Sequence, residues 1–190
     1  YIAEGGQMQL IVIEAGTDII AKAKHAGAIG VAHQGEATDH LFKSGQLDKV
    51  NEFLKQVRQA GMLVGVSTHM PAVVDAIESK GWDVDYYMTC VYERNRSAEE
   101  LKKLLDHVPI PVSEVYLTED PPRMFQAIRH TKRPCLAFKI LAAGRFSWHR
   151  EWVERAFRQT FQSIKPTDAV IVGIYNEFSD EPAENAELVR

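Results

Sequence analysis

Six apolar segments of this chain each end in, or next to, a residue that can take part in chemistry. These residues are Glu14, His33, His69, Cys90, Lys139 and the pair Asn176-Glu177. Carboxylates, imidazoles and amines are the groups that enzymes use to move protons and to attack carbonyl carbons. Helical patterns separate the segments, and parallel strands joined by helices place their carboxyl ends on one face of a sheet. The sequence therefore predicts a site at that face.

Lys139 is the strongest single candidate for a catalytic group. It lies between Phe138 and Ile140 in an apolar segment predicted to be a strand, and burial lowers the pKa of an amine because the ammonium form loses its hydration. Such an amine forms a Schiff base with a carbonyl substrate or acts as a base. The alternative is that Lys139 forms an ion pair with a carboxylate at the mouth of the barrel, the end where the strands finish, such as Glu14 or Glu177. In that case it has a structural role and no catalytic one.

The two histidines that end neighbouring strands, His33 and His69, are the predicted proton shuttles, and Glu177 is a further predicted base. We assign Ser67 and Asn176 to substrate binding, Asn176 as an amide donor. For Glu177 the alternative is that it caps the loop that follows. The leading interpretation requires no cofactor.

A metal site is the alternative use of three of these strand ends. Glu14, His33 and His69 provide one carboxylate and two imidazoles, the ligand set of a facial triad for zinc, manganese or iron. The competing interpretation is that the three side chains bond to one another and to loop backbone around a polar mouth.

Residues 141–145 are predicted to bind an anion. The small residues before Gly144 allow backbone N–H groups to approach a ligand, and the Arg145 guanidinium offers a bidentate clamp. Loops after the last strands of β/α barrels often hold phosphate. The alternative is a tight strand-to-helix turn with an exposed arginine.

The order of the segments predicts an α/β domain over residues 1–190, with six β/α units and an elaborated loop at about 91–120. Two architectures fit: a (β/α)8 (TIM) barrel lacking its first two units, and an open doubly wound sheet. No Gly-x-Gly-x-x-Gly turn or Walker loop follows any strand, which favours the barrel. Helices are predicted to end at Gly27, Gly61 and Gly81, and Pro71 to lie in a first helical turn.

A resemblance supports the barrel and rests on three segments, which read GVSTHMPAVVDAIESKGWDVDYYMTC, EDPPRM and RPCLAFKILAAGR. They resemble a group of uncharacterised bacterial (β/α)8-barrel proteins with GVSTHxP and AFKxLAAGR strand ends. The similarity covers the chain from about Ile11 onward. It implies the fold and the position of the site, and it transfers no activity.

Composition narrows the partners. The net charge is −4 and no basic stripe is present, so we expect neither nucleic acid nor an anionic membrane surface as a partner. The apolar runs are strand-sized, well short of the roughly 20 residues of a membrane span.

Cys90 and Cys135 fall at opposite strand ends, too far apart for a disulfide, which fits a cytoplasmic protein. Six strands leave two sheet edges, so we expect either two further units upstream or association with another copy.

These observations predict an enzyme, a lyase or isomerase, that acts on a small hydroxylated carbonyl compound such as a sugar or sugar phosphate. Lys139 would be the base or Schiff-base amine, and Arg145 the anion anchor. The alternatives are a metal-dependent hydrolase, isomerase or oxygenase built on Glu14, His33 and His69, and a non-catalytic ligand-binding or assembly module.

Overall fold

The computed structural model describes residues 4–109 and 114–189; residues 110–113 of the predicted elaborated loop lie outside this range. The described residues contain one sheet of six parallel strands in the order β1-β2-β3-β4-β5-β6. Their bounds are β1 Ile11–Glu14, β2 Gly30–His33, β3 Leu63–Thr68, β4 Tyr86–Cys90, β5 Cys135–Phe138 and β6 Ala169–Ile171. The six predicted strands are therefore confirmed.

Sequential strand order separates the two predicted architectures. A doubly wound sheet reverses direction after its first strands, which gives an order such as 3-2-1-4-5-6. Here every strand pairs with its neighbour in the chain, as in a β/α barrel. Ile11 from β1 and Leu136 from β5 pack against the same small cluster of Ala32, Tyr86 and Met88. This shared contact requires the sheet to curl.

Eight helices connect or follow the strands in the described residues. Their bounds are α1 Ile19–His25, α2 Gly35–Lys43, α3 Asp48–Gln59, α4 Pro71–Lys80, α5 Ala98–Leu105, α6 Asp120–His130, α7 Arg150–Ser163 and α8 Glu181–Glu187. The predicted helix ends are confirmed: Gly27, Gly61 and Gly81 have φ values of 79°, 78° and 62°, which glycine adopts without a Cβ penalty. Pro71 opens α4 as predicted. The sequence patterns did not predict α2.

Strand alternation divides the side chains between two faces of the sheet. The larger core lies between the sheet and the helices and includes Val31, Val64, Val66 and Tyr87. On the opposite, concave face, Tyr86 lies across Gly65, where an added Cβ would overlap its ring. The C-terminal half of the concave face is the side on which a barrel would hold its ligand.

Two predicted strand ends are shifted in the structure. Strand β5 ends at Phe138, so Lys139 is the first residue after the strand, with a φ of 59°. Strand β6 ends at Ile171, so Asn176 and Glu177 lie several residues beyond it.

No helix among the described residues has the length and apolar character to cross a membrane. Both cysteines are free, as predicted, and both are buried.

Candidate active site

The structure places four predicted site residues at the carboxyl edge of the sheet. Glu14 and His33 are register partners at the ends of β1 and β2. His69 is the first residue after β3, and Lys139 is the first residue after β5. The four side chains do not all lie on the same face of the sheet. Whether a side chain lies on the helix side or on the concave side decides which of the others it can contact.

A buried Asp39–His69 pair lies at this edge and is held by several hydrogen bonds. The Asp39 carboxylate in α2 accepts hydrogen bonds from His69 Nδ1 at 2.7 Å, from the His69 backbone N–H at 3.1 Å and from Thr68 Oγ1 at 2.5 Å. Because Nδ1 donates to the carboxylate, the network assigns the neutral His69 ring the tautomer with a lone pair on Nε2. That nitrogen is then able to accept a proton.

The start of α2 brings Asp39 to His69. The Gln34 side chain accepts a hydrogen bond from the Ala37 N–H at 2.8 Å and so caps the helix. Gly35 lies so close to β3 that an added Cβ would be 2.9 Å from Ser67 Oγ and 3.1 Å from His69 Cε1. The absence of a side chain at Gly35 therefore allows the helix to approach the strand end.

His33 is buried on the helix side of the sheet. Its ring packs edge-on against Phe53 of α3 with centroids 5.0 Å apart. Its Nδ1 lies 2.7 Å from Thr38 Oγ1, and that hydroxyl donates its single hydrogen to the Gln34 carbonyl at 2.9 Å. His33 Nδ1 must therefore be the donor. Burial lowers the pKa of His33 to about 4, although the Gln34 backbone and the Glu14 charge act in the opposite direction.

We expect His33 to make stability depend on acidity between pH 6.5 and about 4. The unfolded chain binds a proton at His33 below pH 6.5, whereas the folded protein resists it down to about 4. The free energy of unfolding should therefore decrease by about 3 kcal/mol across this interval. Urea titrations at several pH values measure the slope, and His33→Asn, which keeps a donor near the position of Nδ1, is the control. Equal slopes in the two proteins would contradict this assignment.

The predicted metal triad is not assembled in the described structure. Register places Glu14 and His33 on the helix side, whereas the His69 ring lies 5.7 Å from that of Phe138. The Glu14 side chain is exposed and accepts a hydrogen bond from the Ala15 N–H. Within residues 4–109 and 114–189, no three side chains of histidine, cysteine, aspartate or glutamate are grouped to bind a metal.

Lys139 lies in a charged cluster at the mouth. Its Nζ donates to Tyr116 Oη at 3.2 Å and lies 3.6 Å from Glu114 Oε2. The partner carboxylate is thus Glu114, a carboxylate at the mouth other than the two named as examples. Burial lowers the pKa of Lys139, and the positive charges of Arg94 and Arg145 lower it further. The net effect is a pKa below that of an ordinary lysine, although the charges of Cys90 and Glu36 act in the opposite direction. A larger fraction of this amine is therefore neutral than at an exposed lysine.

The segment after β5 holds an unusual concentration of left-handed backbone. Lys139, Ala142 and Ala143 have φ values of 59°, 49° and 53°, a region that costs a non-glycine residue roughly 1 kcal/mol or more. Strain of this kind is common at functional sites. The N–H groups of Ala142, Gly144 and Arg145 bond to carbonyls within the segment. These three N–H groups are therefore already used within the segment, which weakens the prediction that they bind an anion.

A cleft of about 570 Å³ opens beside this segment. One wall is formed by residues 138–141 with Ala143 and Gly144, and the other by residues 171–175 and Glu181. Most of its surface comes from apolar side chains such as Ile171 and Tyr175. Concave, largely apolar clefts with a few polar groups are typical ligand sites.

Cys90 lies within electrostatic range of both the Asp39–His69 pair and the charged cluster around Lys139. It is fully buried, and burial raises the pKa of its thiol to about 11, which makes it a poor nucleophile at neutral pH. The charges of Lys139, Arg94 and Asp39 all act on this thiol. Both sets of polar groups are therefore within electrostatic range of this one thiol.

The remaining predicted residues are peripheral or structural. Ser67 is buried beside Gly35. Asn176 and Glu177 are exposed, and Glu177 accepts a hydrogen bond from Tyr175 Oη. This local contact is closer to the loop-capping alternative than to a base aimed at the Lys139 cluster.

Sequence reasoning missed Asp39, Arg94, Glu114 and Tyr116. Asp39 lies in α2. The sequence signals for this helix are weak: Gln34 is a possible N-cap, and Thr38, Leu41 and Phe42 have helical spacing. The other three lie in the elaborated loop, whose irregular pattern does not show which side chains return to the mouth. No sequence signal distinguishes them from solvated loop residues.

Comparisons with known proteins do not provide a family. No family model matches the chain, and no curated protein matches it. Among solved structures, a nitroalkane oxidase from Streptomyces ansochromogenes aligns at 13% identity and a TM-score of 0.40, over 80% of this chain and 35% of its own. A putative orotidine 5'-phosphate decarboxylase from Streptomyces avermitilis aligns at 9% identity and a TM-score of 0.47, over 92% and 67%. Similarity at this level identifies neither a reaction nor a substrate.

Proposed function

We propose that this chain forms six consecutive units of a β/α barrel enzyme that acts on a small hydroxylated carbonyl compound by aldol cleavage or isomerisation. The observation that carries the proposal is the amine of Lys139, whose pKa is lowered and which lines a cleft at the carboxyl edge. The Asp39–His69 pair at the same edge supplies a second proton-transfer group.

The lysine acts through a Schiff base. The neutral Lys139 amine attacks the carbonyl carbon, a C–N bond forms, and the carbonyl oxygen leaves as water after protonation. The resulting iminium draws electrons from the adjacent carbon. In aldol cleavage His69 Nε2 accepts the hydroxyl proton while the neighbouring C–C bond breaks, and in isomerisation it accepts the C–H proton instead. In either case the electron pair of the broken bond converts the iminium into a neutral enamine. The His69 imidazolium returns its proton to carbon and so restores an iminium. Water then hydrolyses this iminium, which releases the carbonyl product and restores the amine.

Asp39 acts through the histidine. When His69 takes a proton on Nε2, the ring becomes an imidazolium whose Nδ1–H already points at the Asp39 carboxylate. The carboxylate stabilises that cation and orients the ring, without itself touching substrate. Because Asp39 is nearly fully buried, this stabilisation is little screened by solvent.

The cleft favours a small substrate with an apolar side. Its volume of about 570 Å³ lies in the usual range for small-molecule sites. Ile171 and Tyr175 line it opposite Lys139, so a carbonyl compound would place its carbon chain against them.

Borohydride trapping tests the Schiff base directly. We expect glyceraldehyde or dihydroxyacetone, reduced with sodium borohydride on the protein, to leave a covalent adduct that peptide mass spectrometry locates at Lys139. Its lowered pKa should make it react at neutral pH faster than exposed lysines. The Lys139→Met protein should lose this adduct, and Lys49→Met, at an exposed lysine bonded only to Gln46 among the described residues, should keep it.

Two outcomes would contradict the proposal. One is an adduct spread evenly over surface lysines with no preference for Lys139. The other is the absence of any trapped adduct together with binding of the same compounds, which would favour the non-catalytic ligand-binding alternative.

A further inference from the structure

Two arginines and Lys139 surround one tyrosine at the mouth. The Arg145 guanidinium stacks on the Tyr116 ring, with its carbon 4.1 Å from the ring centroid, and Lys139 Nζ lies 5.8 Å from the same centroid. Arg94 pairs with Glu114, whose carboxylate also accepts a hydrogen bond from Tyr116 Oη at 2.6 Å. Among the described residues, Glu114 is the one carboxylate that Arg94 and Lys139 contact, and Arg145 contacts none.

This arrangement leaves positive charge and donors unused. In the ammonium form of Lys139 the cluster carries three positive charges against Glu114, an excess of two. Arg145 has no ion-pair partner within the described ranges, and its guanidinium bonds to the Ala142 carbonyl at 3.1 Å. Nε of Arg94 is buried and without a hydrogen-bond partner in the same part of the chain. An unsatisfied guanidinium nitrogen in a buried position costs free energy unless a ligand meets it.

We propose that Arg94 and Arg145 bind the dianionic phosphate of a phosphate monoester, so that the substrate of the proposed reaction is a small phosphorylated carbonyl compound. That the ligand is a substrate rests on the proposed function, whereas the phosphate site itself rests on the charge cluster. Guanidinium groups match phosphate oxygens with two parallel N–H donors. A dianion balances the excess charge, whereas a carboxylate ligand leaves half of it.

The proposed chemistry restores the charge balance once the Schiff base has formed. The neutral amine attacks, and the iminium that results carries the same positive charge as the ammonium form of Lys139. A phosphate held between the arginines then lies opposite a cation again. Glu114 competes with it, because this carboxylate contacts Arg94 and Lys139 in the same cluster.

Calorimetric titration with glycerol 3-phosphate tests the site apart from the reaction. This probe has no carbonyl group, so it binds without forming a Schiff base. We expect Arg145→Gln to weaken its binding about tenfold or more, the value of a lost charge-assisted hydrogen bond. Arg145 is exposed, so the variant should fold normally. Glycerate, which carries one carboxylate, should bind the unmodified protein more weakly than glycerol 3-phosphate.

The Glu114→Gln substitution should change the affinity for glycerol 3-phosphate in the opposite direction. Removing this negative charge should strengthen glycerol 3-phosphate binding about fivefold, within the range of a partly exposed ion pair. Glu36→Gln is the matched control, since this exposed carboxylate acts on Lys139 through space and should change affinity less than about twofold because of screening. Unchanged binding in Arg145→Gln, unchanged or weaker binding in Glu114→Gln, or equal binding of glycerate would each overturn the phosphate site.

The two proposals fail separately. Phosphate binding with the expected variant pattern but no borohydride adduct would overturn the Schiff base and support the anion site. Trapping at Lys139 without selective binding of glycerol 3-phosphate would support the enzyme and overturn its phosphorylated substrate.

Discussion

Replacing Lys139 with methionine is expected to abolish turnover while the fold remains intact. Removing the amine removes the nucleophile whose iminium acidifies the adjacent C–H bond, so deuterium incorporation from D2O next to the carbonyl of a substrate, followed by proton NMR, should slow roughly 100-fold to 10,000-fold. Methionine is unbranched like lysine, so the left-handed backbone at this position should be equally tolerated. Thermal and urea unfolding measure the second half of the expectation.

The stability of this variant distinguishes a catalytic amine from a structural ion pair. The side chains of Lys139 and Glu114 are 25% and 38% exposed, and Glu114 keeps Arg94 and Tyr116 as partners when the lysine is lost. We therefore expect a loss below about 1 kcal/mol, as for partly exposed pairs. A loss of 3 kcal/mol or more would indicate a buried structural pair. A well-folded variant with unchanged exchange would remove Lys139 from the mechanism.

Asp39 substitutions should affect the histidine in two separable ways. Asp39→Ala leaves the His69 Nδ1–H, the His69 backbone N–H and the Thr68 hydroxyl without their acceptor, which should cost about 3 kcal/mol or more in unfolding free energy. Asp39→Asn has nearly the same shape, so it should fold better. Its amide nitrogen, when placed opposite Nδ1, favours the tautomer with the proton on Nε2.

The asparagine variant should therefore be stable enough to assay and poor in proton transfer. We expect its solvent-exchange rate to decrease about 100-fold or more, because the lone pair on Nε2 is the proposed proton acceptor. Nitrogen-detected NMR of the His69 ring reads out the tautomer independently of activity. Asp48→Asn, at an exposed carboxylate paired with Lys80, is the matched control. Full exchange activity in Asp39→Asn, with the tautomer reversed, would exclude His69 as the base.

The strand and helix framework followed from local patterns. Short apolar runs gave the six strands, and Gly27, Gly61 and Gly81 marked helix ends because a left-handed residue there is inexpensive only for glycine. Both signals depend on a few neighbouring residues, so they can be read without knowing the fold. The carboxyl-edge position of Glu14, His33, His69 and Lys139 follows from them, since parallel strands end on the same side.

The sequence could not assign these residues to the two faces of the sheet. A shift of one position moves a side chain from the concave face to the helix face, and this separates His33 from His69. Lys139 shows the same limit, because the pattern of its neighbours continues the strand whereas the backbone turns left-handed one residue after Phe138.

By itself, then, the sequence determined the number of β/α units, their order and the edge at which polar residues collect, because hydrophobic periodicity and helix termination are local properties. Only the tertiary structure decided which groups work together. Asp39 meets His69 across 30 positions of the chain, and Glu114 reaches Lys139 from the elaborated loop. Such contacts depend on how a helix packs on a strand and how a loop returns to the sheet, and no local pattern encodes the partner.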